Sequence, residues 1–211
     1  MTLKDIEYLN SSIVILSGVA GKLGVTGADL AQIVRDPAIT QTPSGVEIAS
    51  IKDQAVITVA EGKIQFQDQS GREPVEHRLP EIADGFMSVL RQQGIDKIRA
   101  YGLNFDVAFD CRSYPTAGQN IADLFVDTEA IQKKSGIHVG GAGLKLFFDH
   151  AEARCLLNIE PRLEEVTTAR LYAHINYHYG VDGPMPSLDD LKLRYHGLWS
   201  HYKELLERLV G

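Results

Sequence analysis

Residues 188–209 read LDDLKLRYHGLWSHYKELLERL, and Leu188, Leu191, Tyr195, Leu198, Trp199, Tyr202, Leu205, Leu206 and Leu209 recur there at three- and four-residue spacing. That spacing predicts one long helix with a single apolar stripe. Ser187 stands before it as an N-cap, Asp189 and Asp190 fill the first turn where the helix dipole favours anions, and Pro186 marks the entry. The opposite face carries Lys192, Arg194, Lys203, Glu204 and Arg208. A helix this one-sided has to cover an apolar surface, and Trp199 on the stripe reads as core.

The surface it covers is a sheet, because other segments alternate with period two. Across 97–111 the odd positions Tyr101, Leu103, Phe105, Val107 and Phe109 are large and apolar, and the even ones run Ala100, Gly102, Asn104, Asp106, Ala108. The pattern predicts a strand buried on one face, the habit of antiparallel sheets. Residues 56–60 and 63–67 flank Glu61-Gly62. A two-residue turn there pairs Val59 with Ile64 and Ile57 with Phe66, while a bulged turn is the alternative, since Glu61 is a poor residue for positive φ. Further strands are expected at 12–17, 143–149, 154–161 and 169–179, and helices at 28–35, 80–93 and 118–133, the last breaking near Asp127.

Laid end to end, the order βαβββα occurs twice, over 10–94 and 95–211, within a single compact unit spanning 1–211. Leu79, Ile82, Phe86 and Leu90 form on 80–93 a stripe equivalent to that of 188–209. The fold class is therefore α+β, mainly antiparallel sheet with amphipathic helices packed on one face. One shared sheet and two stacked sheets both fit the pattern.

Composition narrows the function. Hydrophobic residues make up 44% of the 211, enough for a substantial core. With 21 Lys plus Arg against 28 Asp plus Glu the formal charge is -7, and no basic cluster offsets it, so nucleic acid is a poor partner. The stretch Gln132-Lys133-Lys134 runs into Ser135-Gly136 and reads as a solvated helix end. Two cysteines, Cys111 and Cys155, are too few for a disulfide scaffold or a paired Cys-x-x-Cys zinc site, which fits a reducing cytoplasm. The acidic opening MTLKDIE and the lack of an apolar run of about 18 residues disfavour secretion and membrane spanning.

Four stretches are candidates for chemistry. On strand 169–179, Leu171, Ala173, Ile175 and Tyr177 point one way and Arg170, Tyr172, His174, Asn176 and His178 the other. His174 and His178 are about 13 Å apart at about 3.3 Å per residue, too far to share a metal ion unaided. With Asn104, Asp106 and either Asn158 or Glu160 on neighbouring polar faces, they assemble a constellation suited to small-molecule binding or proton transfer. An ordinary solvated face or a subunit interface is the competing explanation.

The glycine-rich GVAGKLGVTG at 18–27 follows a strand as phosphate loops do, but its glycine spacing is too short and Leu23 follows Lys22 where a Walker loop needs Ser or Thr. It reads as a connector, with nucleotide binding at Lys22 as the lesser alternative. Cys111 beside Arg112 lacks the Arg of a phosphatase loop, because Ala117 stands there, and Cys155 is in phase with Leu157 and Ile159; both read as packing residues. The HVGGAG stretch at 138–143 allows a close backbone approach or a strained turn. His77, His196 and His201 fall on expected loops or solvated faces and call for no role.

The stretch IRAYGLNF at 98–105, together with the pattern of 191–209, resembles a loosely defined group of uncharacterised bacterial proteins with two α+β halves. The resemblance implies a fold habit and a bacterial source, and carries no activity. The leading expectation is then a non-catalytic binding or assembly protein, self-associating as a homo-oligomer or taking a protein partner through its polar sheet face. The alternative is a small-ligand protein or enzyme using Asp106, Tyr172, His174 and His178, with Asn104, Asn176 and Arg170 as further binding residues. Neither reading calls for a metal or a cofactor. Convergence of these side chains on a concave pocket favours the ligand reading, and a flat or self-complementary face favours assembly.

Overall fold

The computed structural model describes residues 6–17, 29, 32–43, 45–110, 116–161 and 170–210. Among these, nine strands and four helices follow in the order β1 (Glu7–Leu16), β2 (Pro37–Thr42), β3 (Gly45–Ser50), β4 (Ala55–Ala60), β5 (Lys63–Asp68), α1 (Leu79–Gln92), β6 (Lys97–Asp110), α2 (Ala117–Phe125), α3 (Thr128–Ser135), β7 (Leu144–His150), β8 (Ala153–Glu160), β9 (Arg170–Pro184) and α4 (Leu188–Val210). The strands form one sheet in the order β2-β3-β4-β5-β1-β6-β9-β8-β7, antiparallel throughout. The α+β class holds, and the choice between one sheet and two falls to one.

The two halves meet where β1 pairs with β6, Ile13 opposite Leu103 and Ser12 opposite Asn104. In each half the first strand pairs with the last, β1 with β5 and β6 with β9. The first half is one strand longer than expected. Its extra strand, β2, escapes a periodicity reading because it lies at the sheet edge with four of its six residues exposed. Pro37 is tolerated at its first position because an edge strand there forgoes one donor. Of the helix expected at 28–35, Asp29, Gln32 and Ile33 are helical, and 28, 30 and 31 lie outside the described residues.

The β4–β5 hairpin takes the two-residue turn: Val59 pairs with Ile64 and Ile57 with Phe66. Gly62 supplies the positive φ of +68°, which leaves Glu61 out of the left-handed region. The break near Asp127 is a change of helix, the Asp127 carboxylate accepting from the Ala130 amide at 2.9 Å to cap α3. Gly136 ends α3 in the left-handed conformation, with Lys133 and Lys134 in its last turn.

Helices α1 and α4 lie side by side over one face of the sheet, bridged by Lys192 and Glu81 at 2.8 Å. Ser187 Oγ accepts from the Asp190 amide at 3.1 Å and donates to its carboxylate at 2.6 Å, a reciprocal cap that fixes where α4 begins. The stripe residues Leu191, Tyr195, Leu198, Trp199, Tyr202 and Leu206 are buried, as are Leu79, Ile82, Phe86 and Leu90 on α1. Phe105 is the hub beneath α4, its ring 5.2 Å from Tyr195 and 5.7 Å from Trp199. Rings at these separations attract beyond the burial of their area.

One expectation about β6 is corrected. It is buried on both faces through its middle, with Gly102, Asn104 and Ala108 enclosed as well as Tyr101, Leu103, Phe105, Val107 and Phe109. As a central strand with small side chains on its open side, it is shadowed by longer neighbours on β1 and β9.

Candidate functional site

The face of the sheet opposite α1 and α4 carries the polar residues, and strand register decides which of them meet. His174 lies opposite Asp106 on β6 and Asn158 on β8, and Tyr172 lies opposite Ala108 and Glu160. The His174 Nδ1 is 2.7 Å from Asp106 Oδ1. A carboxylate can only accept, so Nδ1 is the donor in this pair, and in the tautomer that carries its proton there Nε2 is the acceptor. Asn10, Asp106, Asn158, Glu160, Tyr172 and His174 line a cavity of about 370 Å³. Of the four leading candidates, Asp106, Tyr172 and His174 share this concavity and His178 does not.

Asn10 joins it from β1, in phase with Ser12 and Val14 on the open face and opposite Asp106. The register shift between Tyr8 and Asn10, which inserts Leu9, is what returns Tyr8 to the helix-covered face opposite Val107. The Asn10 Oδ1 is buried without a hydrogen-bond partner among the described residues. Asn10 is absent from the sequence-derived set because the first strand was expected to begin at 12, whereas β1 begins at Glu7.

Other expected residues are placed elsewhere. Asn176 Nδ2 donates to Asn104 Oδ1 at 2.5 Å, and Asn104 Nδ2 donates to Ser12 Oγ at 3.1 Å, so these side chains form a rung across three strands. Arg170 pairs with Glu7 and, at 3.6 Å, with Asp110, and its guanidinium lies over the Tyr172 ring. His178 sits opposite Gly102 and Arg154, outside the cavity lining. Cys155 is buried, and burial lifts its thiol pKa to about 11. The glycine-rich 18–27 with Lys22, and Cys111 with Arg112, lie outside the described residues. Among the described residues no group of three His, Cys, Asp or Glu side chains is placed to hold a metal ion.

A second polar cluster, under the helices, was not foreseen and corrects the dismissal of His77. His77 is 6% exposed, and its Nε2 lies 3.3 Å from Tyr195 Oη, 3.4 Å from Tyr8 Oη and 3.5 Å from Ser11 Oγ. Tyr8 donates to Asp68 Oδ2 at 2.9 Å, and Ser11 and Tyr195 share a hydrogen bond of 2.5 Å. Burial depresses the His77 pKa against the raising influence of Asp68. Ser, His and Asp meet here without forming a nucleophilic triad: Ser11 and Asp68 both face Nε2, and Ser11 is fully enclosed. His201 is likewise engaged, its Nδ1 2.7 Å from Tyr177 Oη and its ring stacked on His150 at 3.6 Å. His196 is half-buried beside Tyr195.

No family model matches the chain, and none of the curated proteins is similar to it.

Proposed function

We propose that the protein binds a small, hydrogen-bonding molecule in the open-face cavity, with His174, held by Asp106, as the group that reads it. The observation that supports this most directly is the convergence of six polar side chains from β1, β6, β8 and β9 on one concavity. The dyad leaves Nε2 of His174 without a partner among the described residues, ready to accept a hydrogen bond or a proton from a bound molecule. NMR titration with panels of amino acids, amines and small sugars tests the reading. The His174 ring and Asn158 side-chain signals move together for one class, and the effect is lost in His174→Ala. No movement with any panel at millimolar concentration rejects it.

Assembly is the second reading, favoured by Phe147 on the outermost strand β7, where it is 75% exposed beside an edge that no described strand covers. Self-association through that edge gives a mass above one chain in light scattering, and Phe147→Ser lowers it. A monomer at high concentration counts against this reading. Under either one we place the protein in a bacterial cytoplasm, where a reduced Cys155 is at home.

A further inference from the structure

Arg194 projects from α4 toward the turn that joins β7 to β8. Its guanidinium lies over the Tyr179 ring at 4.8 Å, donates to Tyr101 Oη at 3.0 Å and donates to Glu152 Oε2 at 3.1 Å. Tyr101 and Tyr179 are paired across β6 and β9, and their rings stack at 4.7 Å with planes 10° apart. Two cavities, of about 480 and 360 Å³, share Glu152, Tyr179 and Arg194 as their common wall. The first continues past His150 and Leu198, the second past Tyr101, Pro184 and Pro186.

The two members of the ion pair are held very differently. Arg194 is oriented by the Tyr179 ring and the Tyr101 hydroxyl, and a guanidinium so held presents its fork to a planar carboxylate. Glu152 sits on a two-residue turn, its side chain 77% exposed. An ion pair with so exposed a partner contributes little to stability, so the carboxylate can leave without disturbing helix or sheet. Its departure opens the shared wall of the two cavities beside the Arg194 charge, with only the edges of Tyr101 and Tyr179 showing, Pro184 and Pro186 next to them, and Asp190 at the rim of the second cavity.

We propose that Glu152 is a stand-in for the carboxylate of a small aromatic acid, which displaces it from Arg194 and lays its ring in the joined cavity. This site lies beside α4, away from the His174 cavity, and owes nothing to the reading proposed for that face. Arg194 supplies the charge, and the edges of Tyr179 and Tyr101 with Pro184 and Pro186 supply apolar contact, a division of labour that selects a flat anion over a small apolar or cationic molecule.

The test is calorimetric titration with benzoate, with acetate as the comparison anion. Glu152→Gln removes the internal competitor and tightens benzoate binding about two- to fivefold, the range expected for losing an exposed ion pair. Adding Arg194→Met to Glu152→Gln abolishes it, and Arg194→Lys weakens it about tenfold, because an ammonium keeps the charge but loses the fork. Near-ultraviolet circular dichroism of each variant verifies that the aromatic core is intact. No saturable binding of benzoate to Glu152→Gln at millimolar concentration, or binding that survives Arg194→Met in a folded protein, overturns the proposal. Acetate binding as tightly as benzoate overturns its aromatic part.

Discussion

Two clusters built from the same residue types lie on opposite faces of the sheet. Under the helices are His77, Asp68, Tyr8, Tyr195 and Ser11; on the open face are His174, Asp106, Tyr172 and Asn158. The difference is access. The first is sealed and its polar atoms answer one another, except for the buried Nδ1 of His77, which has no partner among the described residues. The second, half-exposed, leaves polar atoms turned toward a cavity. Residue identity therefore says little about role until burial is known, because the same imidazole that reads a ligand when open becomes a structural tie when enclosed.

The contrast breaks or sharpens in order of expected size. Phe105 and Asp106 are neighbours on β6 facing the two sides. Phe105→Ala costs about 3–5 kcal/mol in equilibrium denaturation, because it empties the hub of four aromatic contacts, whereas Asp106→Ala on the open side stays within about 1 kcal/mol. Equal losses at the two positions erase the distinction. Tyr195→Phe removes the hydroxyl shared with Ser11 and leaves buried polar atoms unsatisfied, costing about 1–3 kcal/mol.

Acid titration probes the sealed cluster next. Burial holds His77 below its ordinary value of 6.5, so the unfolded chain takes up a proton that the native state refuses. Stability present above pH 6.5 is thus lost as the pH falls from there through the folded pKa. Burial and the neighbouring His150 shift His201 the same way. His77→Gln flattens that slope in urea midpoints measured from pH 7 to 5, and an unchanged slope refutes the sealed assignment. Smallest of all, His174→Ala changes stability by no more than about 0.5 kcal/mol, as befits a partly exposed group, while removing ligand-induced NMR shifts.

The helices and the central strands were legible in the sequence because their patterns are periodic: the α4 stripe, the alternation of β6 and β9, and the Glu61-Gly62 turn each repeat one physical rule. Asp106, Tyr172 and His174 were legible for the same reason, since alternation alone puts them on one side. What escaped depends on exceptions and on distance. β1 extends back past its expected start at 12 to Glu7 and so brings in Asn10, and β2 is too exposed to alternate. His77 comes from a stretch without periodicity and is buried only because α4, over a hundred residues later, closes above it. A signal did exist. Ser11 and Asp68 break the inward rows of Ile13 with Ile15 and of Ile64 with Phe66, and polar groups at inward positions on adjoining strands must find each other.

The pairing of β1 with β5 and β6 also has a kinetic side. β1 leaves the ribosome before both of its partners and must wait for the strand that opens the second half before its far edge is covered. Until then Ile13 and Ile15 border an open ladder able to recruit another chain. Synthesis that pauses between α1 and β6 exposes that edge longest, so the yield of folded protein depends on how promptly residues 97–110 follow.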